Sequence, residues 1–249
     1  MTIDINKELL TAKQAATKAG VFLKENKHNL NEILSSTSKD IKLEADIRAE
    51  KIIIDYISSK SDIKVLAEES GMSSNKFSNN IWVIDPLDGT ANYARDIPLC
   101  CVSIAMISDL KPVIGVIYDI YNDDLYEGTI NTKARLNGNG INVSSVTKSN
   151  EGILITGLPN DTDYSNDAMF RMIKNFQDWR KVRMIGSAAL ASAYVASSKA
   201  DLYIENQSYL WDVAAGAAIV NAAGGEALIT NLNDKFQVDV HFSNSLITI

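Results

Sequence analysis

The stretch from Trp82 to Thr90 reads Trp-Val-Ile-Asp-Pro-Leu-Asp-Gly-Thr. An apolar run, Ile81-Trp82-Val83-Ile84, stops abruptly at Asp85-Pro86. A proline cannot continue a strand ladder, and it holds the residue before it extended. The pattern therefore predicts a buried strand that delivers the Asp85 carboxylate at its tip. Asp88 returns around a tight turn, Gly89 leaves the backbone bare, and Thr90 adds a hydroxyl. Two carboxylates, an unshielded peptide and a hydroxyl this close together suit hard cations and a phosphate better than they suit packing. The competing reading is a surface Asp-Pro turn followed by an ordinary Asp-Gly corner. Only partners elsewhere in the chain decide between the two.

Three other stretches offer acids. A short strand over residues 63–67 ends in Glu68-Glu69-Ser70-Gly71. If it neighbours the Asp85 strand, it brings Glu68 or Glu69 towards Asp85, and only one of them, because side chains alternate along an extended chain. Asp46 stands at the start of a helix predicted over residues 46–59, where an N-cap or first-turn acid needs no further explanation. Asp212 follows Trp211 and introduces a helix over residues 213–223 that Gly224-Gly225 stops. As an N-cap it is ordinary; as a ligand it would be a further carboxylate on a rigid element. The two histidines, His28 and His241, lie in polar or near-terminal contexts. A histidine mechanism and a zinc site are therefore disfavoured, and no nucleophilic Ser or Cys stands out.

The elements that must position these groups can be read along the chain. An amphipathic helix is predicted over residues 6–25, with Leu9, Ala12, Ala16, Ala19 and Leu23 at helical spacing. Residues 26–39 are polar and read as a mobile connection. Strands over 99–107, 112–118 and 124–128, with turns at Lys111-Pro112 and Asn122-Asp123 and a hairpin at Asn137-Gly138, predict an antiparallel meander. The second half alternates: strand 153–156, helix 166–177, strand 181–184, an Ala-rich helix opened by Gly186-Ser187, strand 201–205, and the helix after Asp212. That alternation suggests small-residue helices packed tightly on a sheet, and residues 226–249 read as short closing strands. The expectation is a layered α/β sandwich forming one domain over residues 1–249, with approximate halves 1–145 and 146–249.

Composition narrows the function. The net charge is −7 over 249 residues, which disfavours nucleic acid binding through a basic face. An acidic protein that handles an anion needs positive charge from elsewhere, and bound metal ions are the obvious source. The only cysteines, Cys100 and Cys101, are adjacent in an apolar run. They read as small buried hydrophobes suited to a reducing cytosol, not as a disulfide framework. No signal-peptide pattern and no membrane-spanning apolar run is read, so the expectation is a cytoplasmic protein without membrane or nucleic acid partners.

Four stretches stand in order: Glu68-Glu69-Ser70, Asp85-Pro86-Leu87-Asp88-Gly89-Thr90, Gly186-Ser187-Ala188-Ala189 and Trp211-Asp212-Val213-Ala214-Ala215-Gly216. Together they resemble the inositol monophosphatase family of magnesium-dependent, lithium-sensitive phosphatases, whose superfamily includes fructose-1,6-bisphosphatases and phosphatases of 3'-phosphoadenosine nucleotides. The resemblance implies an αβαβα sandwich, usually a homodimer, and two or three Mg2+ ions. It implies that Glu68, Asp85, the Leu87 carbonyl, Asp88 and Asp212 hold metal, Asp85 bridging two ions. It implies that Thr90 and Asp46 orient and deprotonate the attacking water with help from Glu68. It places the Gly89 and Thr90 amides on the phosphate, and Ser187, Ala188 and Glu205 on the alcohol part of the substrate. The implied function is hydrolysis of a small polyol or sugar phosphate, with inositol-1-phosphate foremost. Fructose-1,6-bisphosphate and 3'-phosphoadenosine 5'-phosphate are alternatives, and a non-catalytic regulatory protein on the same scaffold is a further one. The family's early loop lysine has Lys39 as its nearest counterpart here.

Overall fold

The computed structural model describes residues 3–30, 33–36, 41–73, 79–158 and 162–247. Lys39 lies outside the described residues. The chain opens with helix α1 (Ile5–Asn26), whose start is capped by the Asp4 carboxylate accepting the Asn6 and Lys7 amides. The polar region after it contains a short strand, β1 (Ile33–Ser36), which pairs antiparallel with β2 (Ile41–Leu43). Strands this short show no period in the sequence, and the polar composition there had suggested a plain connection. Helix α2 (Glu44–Ser58) follows, then β3 (Lys64–Ala67), β4 (Gly71–Met72) and β5 (Asn80–Asp88). A short helix, α3 (Thr90–Ala94), leads to β6 (Cys101–Ser108), β7 (Lys111–Asp119), β8 (Asp124–Thr129), β9 (Thr132–Leu136) and β10 (Asn139–Gly140).

These strands form one sheet of eight, ordered β10-β9-β8-β7-β6-β5-β3-β4. From β5 to β10 it is the expected antiparallel meander, closed by a turn whose Asn137 and Gly138 both have positive φ, 50° and 79°. The single parallel pairing, β3 beside β5, is the one that matters for the site.

Both faces of this sheet are covered, which is why β5 reads as an unbroken apolar run instead of an alternating one. Trp82 and Ile84 pack with Ala12, Ala16, Ala19, Ala49 and Ile53 of α1 and α2. Ile81 and Val83 face the other way, into a second core. The adjacent cysteines divide likewise, Cys100 to the first core and Cys101 to the second, and both are free thiols.

The second half supplies β11 (Ile153–Thr156), α4 (Asn166–Phe176), β12 (Lys181–Arg183), α5 (Ala188–Ala196), β13 (Leu202–Tyr209), α6 (Leu210–Ala222), β14 (Glu226–Thr230) and β15 (Gln237–Ser243). Its sheet is ordered β12-β11-β13-β15-β14, parallel around β11 and antiparallel around β15. Helices α5 and α6 lie between the two sheets, sharing a core with Tyr203, Val238, Val240 and Phe242. The layers therefore run α1 and α2, eight-stranded sheet, α5 and α6, five-stranded sheet, with α4 outside. That is the αβαβα sandwich expected. Among the described residues no helix is long and apolar enough to cross a membrane.

Close approach of α6 to the sheet depends on two glycines. A Cβ on Gly115 of β7 would stand 2.1 Å from the Ala215 carbonyl oxygen, and one on Gly128 of β8 would stand 2.8 Å from the Ile219 Cα. Both obstacles are backbone, so neither can rotate aside. Replacing Gly115 with alanine is expected to push α6 away from β7 and cost about 2–3 kcal/mol of stability. Thermal unfolding of G115A against G140A checks this, since a Cβ on Gly140 meets nothing within 4 Å. Equal melting temperatures in the two variants would refute the close packing.

Candidate active site

The tip of β5 is organised by its own backbone. The ladder with β6 slips between Asp85 and Asp88, as a proline-containing segment must when it cannot donate. Asp85 is 2% exposed, and its Oδ1 accepts the Leu87 amide at 2.9 Å. The Leu87 side chain is wholly buried, so what it presents to the turn is its carbonyl, which accepts the Thr90 hydroxyl at 3.0 Å. Gly89 has φ 89°, and a Cβ there would lie 2.7 Å from the Leu99 carbonyl oxygen. Only glycine satisfies both conditions. It starts α3, whose first-turn amides receive no side-chain cap.

The parallel register of β3 with β5 sets Ala67 opposite Ile84, and the Glu68 amide continues the ladder by donating to the Ile84 carbonyl at 3.1 Å. Glu68 is thereby brought beside Asp85, within hydrogen-bonding reach of its carboxyl. Of the two adjacent glutamates, Glu68 is therefore the one that meets Asp85. The Glu69 amide turns instead to α2, donating to Glu50 at 2.8 Å.

Asp46 and Asp212 arrive by the same device. Both helices begin earlier than their sequences suggested, α2 at Glu44 and α6 at Leu210, so each acid is the third helical residue and not the N-cap. Each reaches back to cap the residue before its helix: Asp46 Oδ2 accepts the Leu43 amide at 2.7 Å and Asp212 Oδ2 the Tyr209 amide at 3.1 Å. In both, one oxygen anchors the side chain and the other is left for the site. The second oxygen of Asp46 accepts the Thr90 hydroxyl at 3.0 Å. Thr90 has one proton for two acceptors, Asp46 and the Leu87 carbonyl, and its own lone pairs are turned to neither.

Asp88 is the best-anchored acid. It accepts the Ser187 hydroxyl, the Ala189 amide at 2.7 Å and the Ala188 amide at 3.3 Å, with the Cys101 thiol 3.7 Å away. Ser187 is the N-cap of α5, its hydroxyl also accepting the Leu190 amide at 3.2 Å. Its hydroxyl is thus committed to holding Asp88 and the helix start, although the resemblance assigned it to the substrate. Ala188 is likewise at this junction, half-buried. Asn92 of α3 ties this loop to the segment entering β6: its side-chain amide donates to the Ile185 and Leu99 carbonyls, both at 2.8 Å. Its only sequence signal is its position just after the Asp-Gly-Thr turn.

Glu205, on β13, lies next to the acid cluster, its charge felt by Asp212 and the Asp88 charge felt by it. It accepts the Ser208 hydroxyl at 2.8 Å, and burial pushes its carboxyl up to about 7. A cavity of about 410 Å³ adjoins it, with Gly157, Arg171 and Asn206 among its lining. A Cβ on Gly157 would stand 2.1 Å from the Glu205 carboxylate, so glycine makes room for that side chain.

The electrostatics of the four clustered acids agree with one another. Burial raises the carboxyls of Glu68, Asp85, Asp88 and Asp212 above the usual range. Neighbouring carboxylates raise them further: Asp212, Asp46 and Glu69 on Glu68, and Glu68, Asp88 and Asp212 on Asp85. Hydrogen bonds from Ser187, Ala189 and Ala188 offset part of the effect at Asp88. Glu68 is exposed as a residue although its carboxyl is surrounded by protein on the cleft side, and the neighbouring Asp212, Asp46 and Glu69 carboxylates are the part of its upward shift that solvent exposure does not contradict. Burial pushes Asp46 up to about 7 as well. No side-chain cation is among the main influences on any of the four.

Crowded oxygen donors without a basic partner must either hold protons or bind a cation. Among the described residues no three or more His, Cys, Asp or Glu side chains already close on one point as a formed coordination sphere does. The donor set of carboxylates and one carbonyl, with no thiolate or imidazole, fits a hard divalent ion such as magnesium. Glu68, Asp85, Leu87, Asp88 and Asp212 thus lie together, and Asp46 and Thr90 form a hydrogen-bonded pair at their edge.

Comparison with known proteins points one way. The model of the inositol monophosphatase family matches residues 5–246. The chain is 37% identical over 226 residues to a protein named Nus factor SuhB from Pasteurella multocida, covering 89% of this chain and 84% of that one. It is 35% identical over 194 residues to an inositol-1-monophosphatase from Synechocystis, covering 75% of this chain and 66% of that one. The fold is similar to the solved inositol monophosphatase of Anabaena (Nostoc), with a TM-score of 0.84, 30% identity, and 97% and 92% of the two chains covered.

Proposed function

The chain belongs to the inositol monophosphatase family, and from that premise we propose that it is a magnesium-dependent phosphomonoesterase of a small polyol phosphate, inositol-1-phosphate foremost. The observation that carries the reading is the meeting of Glu68 from the end of β3, Asp85 and Asp88 from β5, and Asp212 from α6 beside the Asp46–Thr90 pair. We assign Glu68, Asp85, the Leu87 carbonyl, Asp88 and Asp212 as the residues that hold two or three magnesium ions. Bound there, the ions supply positive charge that acidifies a water and stabilises a leaving alkoxide.

The remaining steps belong to the chain's own groups. Thr90 donates its proton to Asp46 and offers a lone pair to the attacking water, which aligns that water with the phosphorus. Asp46, its carboxyl lifted to about 7 by burial, is poised to receive the proton near neutral pH. The Gly89 and Thr90 amides point at the phosphate oxygens, where an uncapped first turn favours an anion. Glu205, fixed by Ser208, accepts a hydroxyl of the alcohol half. Ser187 acts through Asp88.

Phosphate release over a panel of inositol-1-phosphate, fructose-1,6-bisphosphate and 3'-phosphoadenosine 5'-phosphate tests the substrate. Inositol-1-phosphate is expected to give a kcat/KM at least about tenfold above the others, a margin of roughly 1.4 kcal/mol in transition-state binding. A chelator should silence all three. Preference for another ester overturns the substrate and keeps the chemistry. Relatives named Nus factor SuhB favour a second reading, a regulatory role on the same scaffold. A protein that binds magnesium and hydrolyses nothing on the panel would establish that one.

A further inference from the structure

Glu50 is a buried carboxylate that this chemistry leaves unused. It lies one turn after Asp46 on α2 and is 4% exposed. Its Oε2 accepts the Glu69 amide at 2.8 Å, and Ser70 donates to the same carboxyl from both its amide and its hydroxyl. On the other side of Glu68, the Glu68 amide is held by the Ile84 carbonyl at 3.1 Å. The peptides before and after Glu68 are therefore both pinned, one by the Asp85 strand and the other by the Asp46 helix. Gly71, with φ 72°, then turns the chain back into β4.

A buried negative charge next to other carboxylates is costly unless it satisfies groups that would otherwise be orphaned. Here it gathers three donors from two consecutive residues. An amide side chain offers one acceptor oxygen in place of two. Such a group fits a rigid turn better than it fits solubility or packing. We propose that Glu50 is a positioning residue: it locks the Glu68-Glu69-Ser70 turn so that Glu68 faces Asp85, and thereby sets how tightly the site holds its cation. The proposal rests on the metal-dependent phosphatase reading above.

Calorimetric titration of the full chain with Mn2+, for the wild type, Glu50→Gln and Glu50→Ala, tests it. Supports of metal ligands typically cost ten- to a hundredfold in affinity when removed. Glu50→Ala is expected to weaken the tightest Mn2+ binding by about tenfold or more, and Glu50→Gln by less. At saturating metal, kcat should recover to within about threefold and KM should stay unchanged. A role in folding alone would lower the melting temperature without moving Mn2+ affinity and without recovery at high metal. If Glu50→Ala does not fold, the near-isosteric Glu50→Gln decides alone, and wild-type Mn2+ affinity in that variant overturns the proposal. A wild type that binds no Mn2+ removes the metal reading and this inference with it, whereas binding that is indifferent to Glu50 removes only this inference.

Discussion

Asp212→Asn is expected to abolish phosphate release while leaving a folded protein, with kcat lowered by about a thousandfold or more, equivalent to roughly 4 kcal/mol of lost transition-state stabilisation. The substitution isolates charge from architecture. Asp212 caps α6 with one oxygen, on the Tyr209 amide, and an asparagine carbonyl can accept that same bond. What disappears is the anionic oxygen aimed at Asp85 and Asp88. Asp88→Asn is expected to be equally inactive, but for two reasons at once. Asp88 receives Ser187, Ala188 and Ala189 as donors, and an amide nitrogen placed among them would leave at least one unpaired, loosening the start of α5. The melting temperature should therefore fall for Asp88→Asn and hold for Asp212→Asn. Near-normal turnover of either variant in magnesium would mean that the acids are not the metal site.

The contrast between these residues shows what sequence could convey. The Asp85 turn was legible because proline, glycine and a clean apolar run each impose a backbone constraint over a few residues. The meander followed from short, well-punctuated strands, whereas the parallel pairing of β3 with β5 came only from the structure, and the choice of Glu68 over Glu69 needed the register of Ala67 with Ile84 that it sets. Helix starts were less legible. Asp212 read as an N-cap and Asp46 as an N-cap or a first-turn acid; both sit at the third position of the first turn and reach backwards, because Leu43 and Tyr209, which carry no local capping signal, occupy the caps. The strand in the polar region after α1 was hidden by its brevity. Glu50, the tie of Asn92 to the Ile185 carbonyl and the commitment of Ser187 to Asp88 were invisible for a different reason. Each acts across a long sequence separation, and nothing in the neighbouring residues distinguishes a surface glutamate on a helix from one that caps a remote turn. A resemblance transfers the motif residues and is silent about the residues that hold the motifs in place.

In chelator, the protein is expected to lose stability as the pH rises from about 5 to about 8, and magnesium should reverse that trend. The unfolded chain releases its carboxyl protons near pH 4. The native site retains them, because burial and mutual repulsion raise Glu68, Asp85, Asp88 and Asp212, and burial raises Asp46 to about 7. Between those values the native state binds more protons than the unfolded one, so the stability they contribute is present at low pH and is lost as pH climbs through the folded pKa values. For Asp46 alone, a shift from 3.8 to about 7 corresponds to a change on the order of 4 kcal/mol in all, of which about 3 kcal/mol falls between pH 5 and 8. In a chain of this size that amounts to a fall of roughly 10 °C in melting temperature. A divalent ion competes for the same oxygens as the protons and binds only the folded site, so its stabilisation grows as they leave. Thermal melts at several pH values, with chelator and with excess magnesium, measure both slopes. A chelated protein whose melting temperature is flat or rises over this interval would show that the acids are already ionised and have a counter-charge within the protein. Equal stabilisation by magnesium at both ends of the interval would show that the ion binds somewhere other than the proton-holding cluster.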